Sequence, residues 1–385
     1  MSGGEFLPFA RPVIDEATIA RVGDVIRSNW IASGPHVLAF EAALSAWCGG
    51  RPVRSMTSAT VAMEVALQLC GIGRGDEVIT PSQTFFAAAN MITKVGAKPV
   101  FVDCDLVSRN LDLAAVAAAI TPATRAILPT HFLAPLDEPA LYTLAAQHGL
   151  RVIEDAALAI GSHYPDGTAV GARGDLVAFS FHPNKNITTI EGGALVVNDA
   201  AEAARVESLR FHGISRLPDG TRDVDVAGGK YNLSDVSGVI GVAQMAQLAA
   251  FVARRRALAR EYLRLWQAGL DCVLPPDVEG HGWNMFAVLL PLERLTITRQ
   301  QFVDLMKARG IGVGVSYEAC HLATLYRRMG YREGQFPVTE RIARETVTLP
   351  LFAAMTEADV ARVCAAVSAV LDAHRARDAG GAGGA

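Results

Sequence analysis

The stretch DEVITPSQTFFAAANMITKVGAKPVFVD, residues 76–103, decides the fold. DEVITP has the short apolar run of a strand, FFAAANMITKVG the period of a helix closed by glycine, and KPVFVD a second strand. The pattern continues on both sides. SATVAMEVALQLCGIG (58–73), LDLAAVAAAI (111–120) and EPALYTLAAQHG (138–149) read as helices, and TRAILPTHF (124–132) and RVIEDAA (151–157) as strands. Strand alternating with helix predicts an α/β fold with a mainly parallel sheet covered on both faces. Active residues are then expected at the carboxyl ends of the strands.

Two more strands, DLVAFSF (175–181) and GGALVVN (192–198), bracket a turn, and a long helical region starts near Ser234. Its continuation FVARRRALAREYLRLW (251–266) is charged and amphipathic, which suits a helix leaving one unit for another. The expected division is a large unit over 1–250, including an amino-terminal arm, and a smaller α+β unit over 251–376 built from segments such as FAVLLP and TRQQFVDLMKARG. The tail, 377–385, reads as disordered.

With 385 residues, 51% of them hydrophobic, the chain can bury large cores, and its net charge of −4 leaves no basic surplus for nucleic acid. Six scattered cysteines, no CxxC pair, no metal-ligand spacing and no secretory h-region predict a reducing, cytoplasmic setting. The run VSGVIGVAQMAQLAAFVA (236–253) approaches the length of a membrane span, but its glutamines and small residues predict a buried helix.

Four elements carry chemistry. Lys185, in a turn two residues after Pro183 and between strands expected to be parallel, points toward the ligand edge, where a lysine of depressed pKa suits Schiff-base chemistry. Taken alone, it is an ordinary surface lysine. Asp155 ends a strand and needs a cationic partner, such as a protonated pyridine nitrogen, unless it merely caps the next turn. Thr57, Ser58, Ala59 and Thr60 begin a helix, where free N–H groups favour a phosphate, and Ser180 offers another donor. Phe85 follows a strand, where its ring can either stack on a flat cofactor or join the core. Together and in this order, they read as a pyridoxal phosphate enzyme.

These motifs, with FLPFARP, SNWIASGP, GDEVITPSQTF, VIEDAA, LRFHG, KYNLSDVSGVIGVAQM and LPLFAAMT, make the chain resemble the DegT/DnrJ/EryC1/StrS family of nucleotide-sugar aminotransferases. The resemblance implies a fold type I pyridoxal phosphate-dependent transferase that works as a homodimer. It implies Lys185 as the Schiff-base lysine, Asp155 as the partner of the ring nitrogen and Phe85 as the stacking ring. Ala59, Thr60 and Ser180 become phosphate contacts, and Asn232 a contact to the phosphate of the neighbouring subunit. FLPFARP, KYNLSD and the histidine of YEACH look most like the enzymes that make UDP-4-amino-4-deoxy-L-arabinose, a lipid A modifying sugar. L-glutamate, 2-oxoglutarate and a nucleotide keto sugar follow as reaction partners. His212 and His321 are candidate sugar or diphosphate contacts, and Arg210 either meets an anion or forms a surface ion pair. Leu158 departs from the pattern, since relatives carry a histidine or glutamine there, and the connection 215–229 is shortened. A keto-sugar dehydratase of this fold would carry histidine in place of Lys185, and a non-catalytic regulatory protein would not need the full set.

Overall fold

The computed structural model describes residues 5–136, 138–266 and 270–376; the tail read as disordered lies outside them. The chain opens with α1 (Glu16–Arg27), α2 (Pro35–Trp47), β1 (Val53–Met56) and α3 (Ala59–Leu69). There follow β2 (Glu77–Pro81), α4 (Phe86–Lys94), β3 (Lys98–Val102), α5 (Leu113–Ala119), β4 (Thr124–Ile127), α6 (Glu138–Gln147) and β5 (Arg151–Asp155). β6 (Leu176–Ser180), β7 (Gly193–Val196), α7 (Ala200–Arg210), the short hairpin β8 (Ile214–Arg216) and β9 (Arg222–Val224), and α8 (Asp235–Leu265) complete the first part. The last part holds β10 (Phe286–Leu289), α9 (Arg299–Ala308), α10 (Thr324–Arg327), α11 (Pro337–Glu345), β11 (Thr346–Leu349) and α12 (Glu357–Ala373).

Seven strands form one sheet in the order β1-β7-β6-β5-β4-β2-β3. Pairings from β6 through β5, β4 and β2 to β3 are parallel, as the alternating pattern predicts. β7 is antiparallel to both of its neighbours. The Lys185 turn therefore joins an antiparallel pair, not parallel strands as expected. No helix intervenes between β6 and β7, and without a crossover the chain can only turn back on itself.

The GG pair that opens β7 has a steric cause. A Cβ on Gly193 would lie 2.2 Å from the Ser58 carbonyl carbon and 2.3 Å from the Ala59 nitrogen, so the strand rests directly on the first turn of α3. That contact fixes the α3 amino terminus over the strand ends. Ser58 caps α3 by accepting the Val61 N–H at 3.3 Å.

α8 is long and apolar enough to cross a membrane by length and composition alone, but its buried face belongs to the cores. Its glycines mark where it crosses α2: a Cβ on Gly238 would meet the Val37 nitrogen at 2.6 Å, and one on Gly241 the Phe40 ring at 2.6 Å. Leu248 and Val252 belong to a core with α2, β6 and β7, whereas Leu258, Ala259 and Tyr262 belong to a second core with β10, β11, α9 and α12. The helix thus changes cores between Val252 and Leu258. The amino-terminal arm, assigned by sequence to the first unit, packs on the second. Leu7 lies in the second core and exchanges backbone hydrogen bonds with Gly310 and Gly312 at 2.9 and 2.8 Å.

Gly193→Ala is expected to lower unfolding stability by about 1–3 kcal/mol, because backbone must move to admit the methyl group. Urea denaturation checks this, and an unchanged midpoint would show that the contact is compliant.

Candidate active site

The carboxyl ends of β1, β2, β4, β5 and β6 surround a cleft with a cavity of about 230 Å³, lined also by Tyr317 from the carboxyl-terminal part. Asp155 closes β5 and is buried. Its carboxylate accepts the Ala157 N–H at 3.0 Å, and among the described residues no cation lies within ion-pair distance of it. Burial raises its pKa above the usual carboxylate value, with the Ala157 N–H, Lys185 and His131 opposing.

The Lys185 turn is tied down on several sides. The Lys185 N–H reaches the His182 carbonyl at 2.9 Å, and the Thr189 N–H and Thr188 hydroxyl both donate to the Phe181 carbonyl, at 3.0 and 2.9 Å. The buried Asn186 amide donates to the carbonyls of Ile160 and Gly282 at 3.0 and 2.8 Å. Loss of hydration pushes the Lys185 ammonium down to about 8, with Asp155 pulling the other way.

At the start of α3, the Ser58 hydroxyl and carbonyl take the N–H groups of Val61 and Ala62. The N–H groups of Ala59 and Thr60 have no acceptor among the described residues and border the cleft at the positive end of the helix. Ser180, at the end of β6, lines the same wall. Phe85 is 53% exposed, its ring centroid 5.5 Å from that of Tyr317. Leu158 packs with Phe132, Leu133, Met285 and Ala287 in an apolar cluster that touches Tyr317.

Pyridoxal phosphate fits these residues. The buried carboxylate lacking a cation matches its protonated ring nitrogen, and the open N–H groups of α3 with Ser180 match its phosphate. Phe85 offers its ring a stacking face, and Lys185 supplies an amine with a substantial neutral fraction near neutral pH.

Lys185, Asp155, Phe85, Ala59, Thr60 and Ser180 thus share one cleft; Asn232, His212 and His321 do not line it. Asn232 forms a bridge with Met56 and bonds Ser33 and Lys230. His212 is exposed, its backbone at φ +62° beside Gly213. His321 is fully enclosed, with Nδ1 2.7 Å from the Ser82 hydroxyl and Nε2 3.1 Å from Glu340. That corrects its reading as a sugar contact: the ring links the 320–322 turn to the end of β2. Arg210 is no surface group either. It pairs with the buried Glu41 at 2.6 Å, and Glu41 also holds the Ser55 N–H and hydroxyl, each at 2.8 Å. Sequence reasoning missed Tyr317 and the Thr84–Thr130 hydroxyl pair, 2.9 Å apart. Only the aromatic in SYEACH could have signalled the first.

Because the unfolded Lys185 titrates near 10.4 and the folded one near 8, the unfolded chain holds more protons between those values. Stability should therefore rise with pH through that window. The cofactor-free native protein is expected to gain urea resistance relative to Lys185→Met between pH 7 and pH 9.5. A constant gap would mean that the amine is not depressed.

A profile of the DegT/DnrJ/EryC1/StrS aminotransferase family matches residues 12–368. Among solved structures, DesV of S. venezuelae is 33% identical with a TM-score of 0.87, covering 96% of this chain and 99% of its own. The aminotransferase TlmJ of Streptoalloteichus hindustanus is 32% identical with a TM-score of 0.87, covering 95% and 99%. The candidate sugar aminotransferase Spr1654 of Streptococcus pneumoniae, solved in PMP, PLP and apo forms, is 26% identical in its PMP form, with a TM-score of 0.90 and coverage of 96% and 98%.

Proposed function

Since the chain belongs to the DegT/DnrJ/EryC1/StrS aminotransferase family, we propose that it moves the amino group of L-glutamate to a keto carbon of a nucleotide-linked sugar. The substrate is a UDP-4-keto sugar such as UDP-4-keto-arabinose, and the enzyme acts in the cytoplasm as a homodimer. Its cofactor is pyridoxal phosphate, as the family and the PLP and PMP forms of a neighbour indicate. The observation that carries the reading is the opposition, in one cleft, of a depressed lysine and a buried carboxylate without a cation.

When bound, the cofactor supplies a conjugated electron sink for the amino-bearing carbon. Lys185 is its covalent anchor at rest. Once freed, Nζ would take the Cα proton of glutamate in the first half and, in the second, deliver a proton to the former keto carbon of the sugar. A pKa near 8 suits both directions of transfer. The Asp155 carboxylate keeps the ring nitrogen protonated, and that charge in turn relieves the desolvation of Asp155. Phe85 would offer the flat ring a stacking face, with Tyr317 beside it, and the apolar cluster around Leu158 restricts water at that edge.

Asn232 lies outside its own chain's cleft, and Trp30, Ile31 and Leu38 leave apolar surface exposed on the α1–α2 connection and α2. Both features support a second copy on this side, with Asn232 reaching the partner subunit's phosphate site. UDP-, GDP- and dTDP-keto sugars offered with glutamate test the whole reading. Release of 2-oxoglutarate is expected with a UDP-4-keto sugar, and Lys185→Ala should reduce it by 10²–10⁴-fold or more, on the order of a lost general acid–base. No 2-oxoglutarate with any sugar would sink the assignment.

A further inference from the structure

A second group of residues acts on Lys185 from behind the cleft. Arg255 lies on α8 between Val252 and Leu258, where the helix changes cores. Its guanidinium is buried, no carboxylate among the described residues lies within ion-pair distance, and burial pulls its pKa down to about 10. A buried cation without an anion is costly, so its hydrogen bonds must be specific. Nη1 donates to the carbonyls of Leu351, Asn284 and Trp283 at 2.7, 3.2 and 3.4 Å, and Nη2 to the carbonyl of Lys185 at 3.4 Å. The Asn284 amide lies 3.4 Å from the Asn184 carbonyl and 3.3 Å from Asn186 Oδ1. Asn186 returns a bond to Gly282. The lysine and both of its neighbours are thereby held from the 282–284 segment and α8.

We infer that Arg255 and Asn284 are positioning residues for Lys185: they fasten the backbone of the lysine turn to the carboxyl-terminal part and so hold the side chain in the cleft it shares with Asp155. The inference rests on Lys185 being the reacting amine. Asp155 is the charged group that acts on this amine; His131 acts in turn on Asp155, Asp155 acts on the Tyr317 hydroxyl, and His182 and Glu191 line the same cleft. None of these residues bonds Arg255, so loosening the turn changes the exposure of Nζ and leaves its charged surroundings in place. Tyr262 offers a control, because its hydroxyl binds the Pro350 carbonyl at 2.8 Å from the same helix without touching the lysine turn.

The experiment uses the full chain stripped of cofactor. Pulsed acetylation with acetic anhydride from pH 6.5 to 10.5, read by peptide mass spectrometry, gives the titration midpoint of Lys185 itself. Arg255→Lys keeps the charge but cannot span four carbonyls, and is expected to raise that midpoint by about one pH unit, a roughly tenfold loss of neutral amine at pH 7. In the loaded enzyme, kcat should fall by a similar factor while the sugar KM stays within twofold. Tyr262→Phe should cost thermal stability and leave the midpoint where it is. If Arg255→Lys does not fold, Asn284→Ala makes the same test through the Asn184 carbonyl. A native midpoint in the folded variant, or an equal shift in Tyr262→Phe, overturns the inference. The acetylation profile reads the position of the amine whatever sugar is used, so its failure is separate from failure of the substrate assignment.

Discussion

The structure depends on two adjacent carboxylates at the end of β5 receiving opposite treatment. Glu154 is fully buried and satisfied, with His131 Nε2 at 2.6 Å and the Tyr142 hydroxyl at 2.7 Å. Asp155, one residue on, faces the cleft with one backbone N–H and, among the described residues, no cation within ion-pair distance. Strand alternation sends the two to opposite faces, so one locks the sheet while the other is left for a ligand. Lys185, stripped of hydration across the same cleft, carries the complementary deficit. Leaving such groups uncompensated costs on the order of several kcal/mol, and only a rigid frame can hold them there.

Much of that frame was legible in the sequence because it is local and periodic. The strands from β2 to β7 fall inside the segments read as strands, and Asp155, Phe85 and Lys185 come to one edge because the parallel strands end there. Less was legible where periodicity is weak or the cause is distant. α1, α2 and β1 precede the alternating pattern, and β1 is a four-residue edge strand specified by its antiparallel partner β7. The hydroxyls of Thr188 and Thr189, just after the lysine, are consumed in building the turn. Tyr317 comes from an irregular segment far along the chain, where no pattern of 2 or 3.6 announces a wall of the cleft.

Single histidines and arginines were the least legible residues. Nothing local distinguishes a histidine that meets a sugar from one that ties a turn to a strand, since both need two hydrogen-bond partners and one neighbour of each kind. His321 finds its partners in Ser82 and Glu340, 239 and 19 residues away in the chain. Arg210 likewise meets Glu41 only because α7 packs behind β1. Long-range pairing, not residue type, decides these roles.

Leu158 marks where the anchoring groups of the cleft meet an apolar wall. It sits three residues beyond Asp155 but faces an apolar group drawn from the 132–133 segment, the 285–287 strand start and Tyr317. Leu158 also borders the cleft beside Thr130, Ser180 and Tyr317. The leucine is consistent with its apolar neighbours Phe132, Leu133, Met285 and Ala287 and forms part of the cleft wall. The anchoring half of the cleft, built on Asp155, Lys185 and the start of α3, adjoins this cluster through Leu158 and Tyr317.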